Sequence, residues 1–222
     1  MSDLLPEVSA GAATFLGNFT PAIFQPAWFA RQKLISVEDA DAATIDIIHP
    51  EITQFSTDRF TFNVTPGQLG ITSKPDAIRD HVRDIAAGIF IILEQTPLKA
   101  MGINTLMHYQ LPSEKAWHGL GDRLAPKGIW EKYLPGRPGM ESLTISGEMA
   151  KQATGSKINV KVEPSRILKH GVYFEVNHHF TPQSEDGARQ EFLELITTRW
   201  SELQDDAAKI ANGVIRWASE DE

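Results

Sequence analysis

The densest collection of chemically able side chains in this sequence is the run Tyr173, Glu175, Asn177, His178 and His179. Strand alternation places Tyr173, Glu175, Asn177 and His179 on one face, opposite Val172, Phe174, Val176, His178 and Phe180. A carboxylate near an imidazole can fix its tautomer and raise its basicity, as a general acid/base pair or two metal ligands require. Residues four apart on a strand stand ~13 Å apart, however, because the rise is about 3.3 Å per residue. Glu175 and His179 therefore share no metal on a straight strand, and the plainer reading is a solvated face with one packed histidine.

His108 lies beside Asn104 and Gln110 on a second strand-like run, and it approaches Asn177 or His179 if the strands from Gly102 and Gly171 are neighbours. Trp117 and Trp130, with Tyr133 and Arg137 nearby, are suited to stack on a flat ligand or anchor a partner; aromatics so placed also plug the ends of cores. His118 and Asp122, four apart on a short helical pattern, read as a surface pair. His108, Trp117, Trp130, Tyr173, Glu175 and His179 form the candidate ligand-binding set. No residue is assigned a catalytic role, and neither a metal nor a cofactor is expected.

The wider sequence narrows the chemistry further. The 222 residues contain no cysteine, which removes disulfides, thiol catalysis and thiolate metal sites. There is no Gly-x-Ser-x-Gly elbow, no phosphate-cradling Gly-rich loop, no dinucleotide fingerprint and no His-Glu-x-x-His. Lys plus Arg number 21 against 29 Asp plus Glu, a net charge of −8, which argues against a nucleic-acid surface. Nucleic-acid binding would need a basic strip from Arg31, Lys33, Lys127, Lys132 and Arg137. No apolar run reaches the roughly 18 residues of a membrane span, and no positive cluster precedes an apolar run near Met1, so a cytoplasmic protein is expected.

These side chains must be held by a mixture of strands and helices. The first dozen residues read as loose, and Thr14 to Phe24 as an edge strand interrupted by Gly17 and Pro21. A short helix follows Pro26, then an acidic turn at Glu38 to Asp41. Phe60, Phe62 and Val64 alternate with polar residues, as in a strand with one buried face. Ile78, Val82, Ile85, Ile89 and Leu93 recur at helical spacing within a helix predicted over Asp76 to Gln95. Leu98 to Leu111 reads as a central strand, Leu143 to Ile145 and Ile158 to Val162 as a hairpin closed by the loop Ala153 to Ser156, and Val172 to Phe180 as a further strand. The expected class is α+β: an antiparallel or mixed sheet packed against two main helices.

Phe60-Thr61-Phe62-Asn63-Val64-Thr65-Pro66 and Ile158-Asn159-Val160-Lys161-Val162-Glu163-Pro164 match apolar for apolar, and each precedes a strand and an amphipathic helix. The echo predicts an imperfect duplication of a β-β-α unit. The 222 residues then form one domain, or two intimately packed halves of about 13–112 and 141–222 joined by the Pro/Gly-rich segment 113–140, of which Ala125 to Met140 reads as a linker or lid. A second likeness, Gly102 to Leu111 against Gly171 to Phe180, falls at a different offset.

The last helix, Gly187 to Trp217, carries Ile196, Trp200, Leu203, Ala207, Ile210, Val214 and Trp217 at spacings of 4, 3, 4, 3, 4 and 3. That seam runs about 30 Å at ~1.5 Å per residue, longer than one helix usually needs to cover a small sheet. It points to an oligomer interface through Trp200, Leu203, Ile210, Val214 and Trp217. The leading expectation is a non-enzymatic binding or assembly protein, a homo-oligomer that recognises a protein or peptide. The alternative is a small-molecule binder or enzyme with a sheet-lined polar pocket.

The run Phe24 to Phe29, with Ile48-His49-Pro50-Glu51, Pro97 to Asn104 and Leu111-Pro112-Ser113-Glu114, resembles a family of uncharacterised bacterial proteins of similar length. The resemblance covers most of the chain and implies a bacterial cytoplasmic protein. It brings no activity, cofactor or catalytic residue.

Overall fold

A computed structural model describes residues 4–75, 77–149 and 156–219. The strands β1 (Val8–Gly17), β2 (Thr44–His49), β3 (Ile52–Ser56), β4 (Phe60–Val64), β5 (Gln68–Ser73), β6 (Leu98–Gln110), β7 (Leu143–Glu148), β8 (Lys157–Pro164) and β9 (Gly171–Phe180) form one continuous sheet. Its order is β2-β3-β4-β5-β1-β6-β9-β8-β7, and every pairing is antiparallel. The helices are α1 (Pro26–Arg31), α2 (Val37–Asp41), α3 (Asp80–Ile92), α4 (Glu114–Leu124) and α5 (Ala188–Ser219). The α+β class expected from the sequence is the class observed.

Read outward from the β1–β6 junction, the two halves of the sheet have the same order: β5-β4-β3 on one side and β9-β8-β7 on the other. The echo falls on equivalent strands. Phe62 pairs with Ile71 and Ile71 with Ala13; Val160 pairs with Val176 and Val176 with Thr105. Those rungs flank the Ala12–Asn104 pair, so the registers are related by a pseudo-two-fold through that pair. The second likeness instead matches β6 with β9, which are neighbours rather than equivalents.

Alternate residues of each central strand enter one of two buried clusters. The first contains Phe15, Phe29, Phe55, Phe62, Ile71 and Ile103 with Val82, Ile85 and Phe90 of α3. Phe29 and Phe62 lie 4.9 Å apart and Phe55 and Phe62 5.2 Å apart, ring centroid to ring centroid. The second contains Tyr109, Val172, Phe174 and Val176 with Leu120 of α4. Helix α5 spans both, with Phe192, Ile196, Trp200 and Leu203 in the first and Ala207, Ala211 and Ile215 in the second. Among the described residues no helix is long and apolar enough to cross a membrane.

Three sequence expectations are corrected. The N-terminal strand is β1, which starts at Val8, ends at Gly17 and lies in the middle of the sheet. Its Ala10-Gly11-Ala12-Ala13 run has too little side chain to show an alternating pattern, but a Cβ on Gly11 would lie 3.0 Å from Trp200, so the strand is kept small to admit α5. The acidic turn is the helix α2, nucleated by Ser36, whose hydroxyl accepts the Asp39 N–H at 3.0 Å. The greasy seam of α5 is sealed along much of its length by its own chain: Trp200 and Leu203 are each 1% exposed and unavailable to a second subunit. A straight helix turns once per 3.6 residues, so a seam spaced at 3.5 slides around it. The buried stripe passes to Ala211 and Ile215, while Ile210 and Val214 become half-buried and Trp217 is 46% exposed beneath Arg123, whose guanidinium lies 4.2 Å from the ring centroid. The predicted loop Ala153 to Ser156 lies outside the described residues except for Ser156.

Candidate functional site

Strand alternation gives the face turned away from these buried clusters its own row of side chains. Cross-strand register aligns Asn104 of β6, Asn177 of β9, Asn159 of β8 and Ser146 of β7 on one rung. The Ser146 hydroxyl donates to Asn159 Oδ1 (2.7 Å), Asn159 Nδ2 to Asn177 Oδ1 (3.1 Å) and Asn177 Nδ2 to Asn104 Oδ1 (2.6 Å). Asn104 Nδ2 then reaches Thr14 Oγ1 of β1 at 3.5 Å, a weak terminal link. The amides form a relay of one polarity across five strands.

This relay borders a hollow of about 350 Å³ lined also by Leu16, Ala100, Gly102, Lys161, Glu175 and His179. Thr14 and Thr144 both line it, although a flat sheet would place β1 and β7 ~19 Å apart, so the face curves around the hollow. Asn104, on the face turned away from α3, α4 and α5, is only 8% exposed. Gly102 keeps the floor open: a Cβ there would lie 2.6 Å from Asn177 Nδ2.

Polar contacts and burial set the state of the ionisable groups around the hollow. Lys161 Nζ lies 2.8 Å from Glu163, and hydrogen bonding from Lys161 holds the Glu163 carboxyl below its ordinary range. The Tyr173 hydroxyl donates to Glu175 Oε2 at 3.2 Å; burial first, then the Glu175 charge, raises the Tyr173 phenol. Burial, assisted by Lys157, lowers His179 below the usual histidine range.

The sequence-predicted residues separate into four places. Glu175 and His179 line the hollow. His108 faces Tyr173 across the β6–β9 pair, with ring centroids 4.7 Å apart, and not Asn177 or His179. His108 Nδ1 is 2.9 Å from Ser165 Oγ, which also accepts the N–H groups of Ile167 and Leu168; burial lowers the His108 pKa. The two backbone bonds tie Ser165 to its own turn. Trp117 packs at the start of β9, where its Nε1 donates to the Gly171 carbonyl at 3.0 Å, and Trp130 borders a different hollow with Glu163 and Arg166. His118 lies 3.7 Å from Glu114 and Lys127 3.8 Å from Asp122, so His118 and Asp122 have other partners.

The sequence reading left Thr14, Asn159 and Lys161 out of the candidate set, and mentioned Asn104 and Asn177 only beside the histidines. The available signal was compositional: asparagine is depleted in strands, yet each of three neighbouring strands carries one on its polar face. His178 points the other way, 2% exposed, with Nδ1 lacking a hydrogen-bond partner.

No protein-family model matches the chain, and no curated protein matches it. Among solved structures, the chain is similar to DynU16, a protein in the dynemicin biosynthetic locus, at 14% identity over 89% of this chain and 98% of that one, with a TM-score of 0.26. A likeness that slight carries no argument about activity.

Proposed function

We propose that this protein binds a small molecule in the amide-lined hollow on the open face of its sheet. The observation that carries the reading is the relay Ser146–Asn159–Asn177–Asn104. Its pseudo-symmetric counterparts on the same rung are Ser56, Thr61, Thr72 and Ala12, so that rung is built in the other half without asparagine; Asn63, one rung along on β4, bonds Gln54 of β3 and extends no relay. Three strand-disfavoured residues joined around a hollow are therefore a local departure that sheet formation does not require, the kind expected at a functional site. The hollow combines convergent polar side chains with an apolar floor, an arrangement that can orient a small ligand.

The test is native mass spectrometry of the purified chain after incubation with the small-molecule fraction of its source cells. The expected result is a bound species released on denaturation and absent from Gly102→Val, whose side chain enters the hollow. Retention of the same species by both proteins, or by neither, refutes the reading.

A second reading, assembly with another copy or a peptide in the cytoplasm, is favoured by the exposed Ile129, Trp130, Tyr133 and Leu134 and by Trp217. It gives a concentration-dependent mass in sedimentation that Trp130→Ala with Tyr133→Ala reduces to one chain; a constant single-chain mass refutes it.

A further inference from the structure

The hydrogen-bonding inventory of the hollow restricts what fits. Within the relay each asparagine commits one N–H and one carbonyl lone pair, which leaves each with one N–H and one lone pair to offer. The Thr14 hydroxyl, which terminates the relay as an acceptor, keeps its own proton to donate. Donors and acceptors thus remain in similar number, and an ion, which presents only one kind, would leave the other kind unmet.

Charge gives the same answer for an anion. Lys161 is paired with Glu163 and is no free counter-charge for an anion, while Glu175, which accepts from the neutral Tyr173 hydroxyl, keeps its charge, so a cation is disfavoured by the relay's unmet N–H donors rather than by charge. Burial lowers the His179 pKa and so disfavours its charged form. Shape then separates flat ligands from polyols. Ala100 and Gly102 give a nearly side-chain-free apolar floor, with the Leu16 side chain beside it, and among the described residues no Trp, Tyr or Phe lines the hollow to stack on a sugar.

Resting on the ligand-binding reading above, we infer that the ligand is a small uncharged molecule with a cyclic-amide edge, a lactam or nucleobase-type ring. Its N–H and C=O meet the Asn104, Asn177 and Asn159 amides while its apolar part covers Ala100 and Gly102. Asparagine amides suit such an edge because each presents a donor and an acceptor side by side, the pairing used when Asn reads a base edge.

The experiment follows the side-chain NH2 resonances of the full chain by NMR during titration with uracil, glucose, acetate or methylammonium. Uracil is expected to shift the Asn104, Asn159 and Asn177 amide signals saturably, with glucose and both ions inert. Asn177→Leu and Asn159→Leu, each checked for wild-type backbone spectra, are expected to weaken uracil at least tenfold. Shifts of these signals by glucose or an ion but not by uracil overturn the inference and leave the hollow as a binding site. Silence of these signals to all four probes overturns the inference and counts against the hollow itself, and uracil binding that survives both leucine substitutions unchanged overturns the assigned contacts.

Discussion

Replacing His178 with leucine should make the protein markedly less sensitive to acid. His178 lies between the sheet and α5, with Ile103 and Ile158 as its cross-strand partners and Leu203 beside it. The charged groups facing it from α5 are already engaged: Glu202 bonds Arg199 at 2.9 Å, and Asp206 lies 3.3 Å from Lys209. Burial therefore dominates and lowers the His178 pKa to about 4. Above pH ~7.5 the ring is neutral in both folded and unfolded chains and adds no pH dependence. Below about 6.5, its ordinary value, the unfolded chain takes up the proton first, so stability falls with pH until the folded ring also titrates near 4. Integrated between pH 7 and 4.5, the loss from this one group is roughly 2 to 2.5 kcal/mol. The assay is urea unfolding of wild type and His178→Leu at both pH values. Other titrating groups are common to the two proteins, so the difference of differences isolates the imidazole. A leucine variant that loses as much stability as wild type between those values refutes the burial argument, as does an NMR titration placing His178 near 6.5.

Trp200→Ala should cost roughly 3–5 kcal/mol in chemical denaturation, because the indole is fully enclosed, whereas Trp217→Ala should cost about 1 kcal/mol or less. Comparable losses at the two sites would show that the α5 seam is not divided as described. Gly11→Val should destabilise by about 1–3 kcal/mol through contacts with Trp200, Gln204 and Arg79, and an unchanged midpoint would mean that β1 and α5 are less closely apposed. Asn177→Leu should change stability by no more than about 1 kcal/mol, since water can replace its partners on a half-exposed face; a loss well beyond that would make the relay structural.

Much of the architecture is legible in the residue order because each signal is local. Alternation in Phe60–Val64 and Ile158–Val162 and the four-and-three spacing of Val82 to Ile89 each act over one or two turns or a few strand residues. The β4/β8 echo even identified equivalent strands. What failed was long-range. Ser9 to Thr14 of β1 lack large side chains, so nothing in that stretch marks the strand as central; that follows from its having β5 on one side and β6 on the other. The heptad seam of α5 could not reveal where a straight helix would diverge from it, because the divergence depends on what surface the helix lies against.

The candidate site divides in the same way. The sequence by itself determined which face of each strand is polar, and so placed Glu175 and His179 on the face that carries the hollow, because side-chain direction alternates with period two. Only the tertiary structure decided that β6, β9, β8 and β7 lie side by side, in a register that brings Asn104, Asn177, Asn159 and Ser146 onto one rung although they span more than 70 residues of chain. Register is fixed by the packing of the opposite, apolar face, where a one-residue slip would turn Val176 and Ile103 into solvent. The polar relay is thus aligned by the core beneath it, and its partners become neighbours only when that core closes.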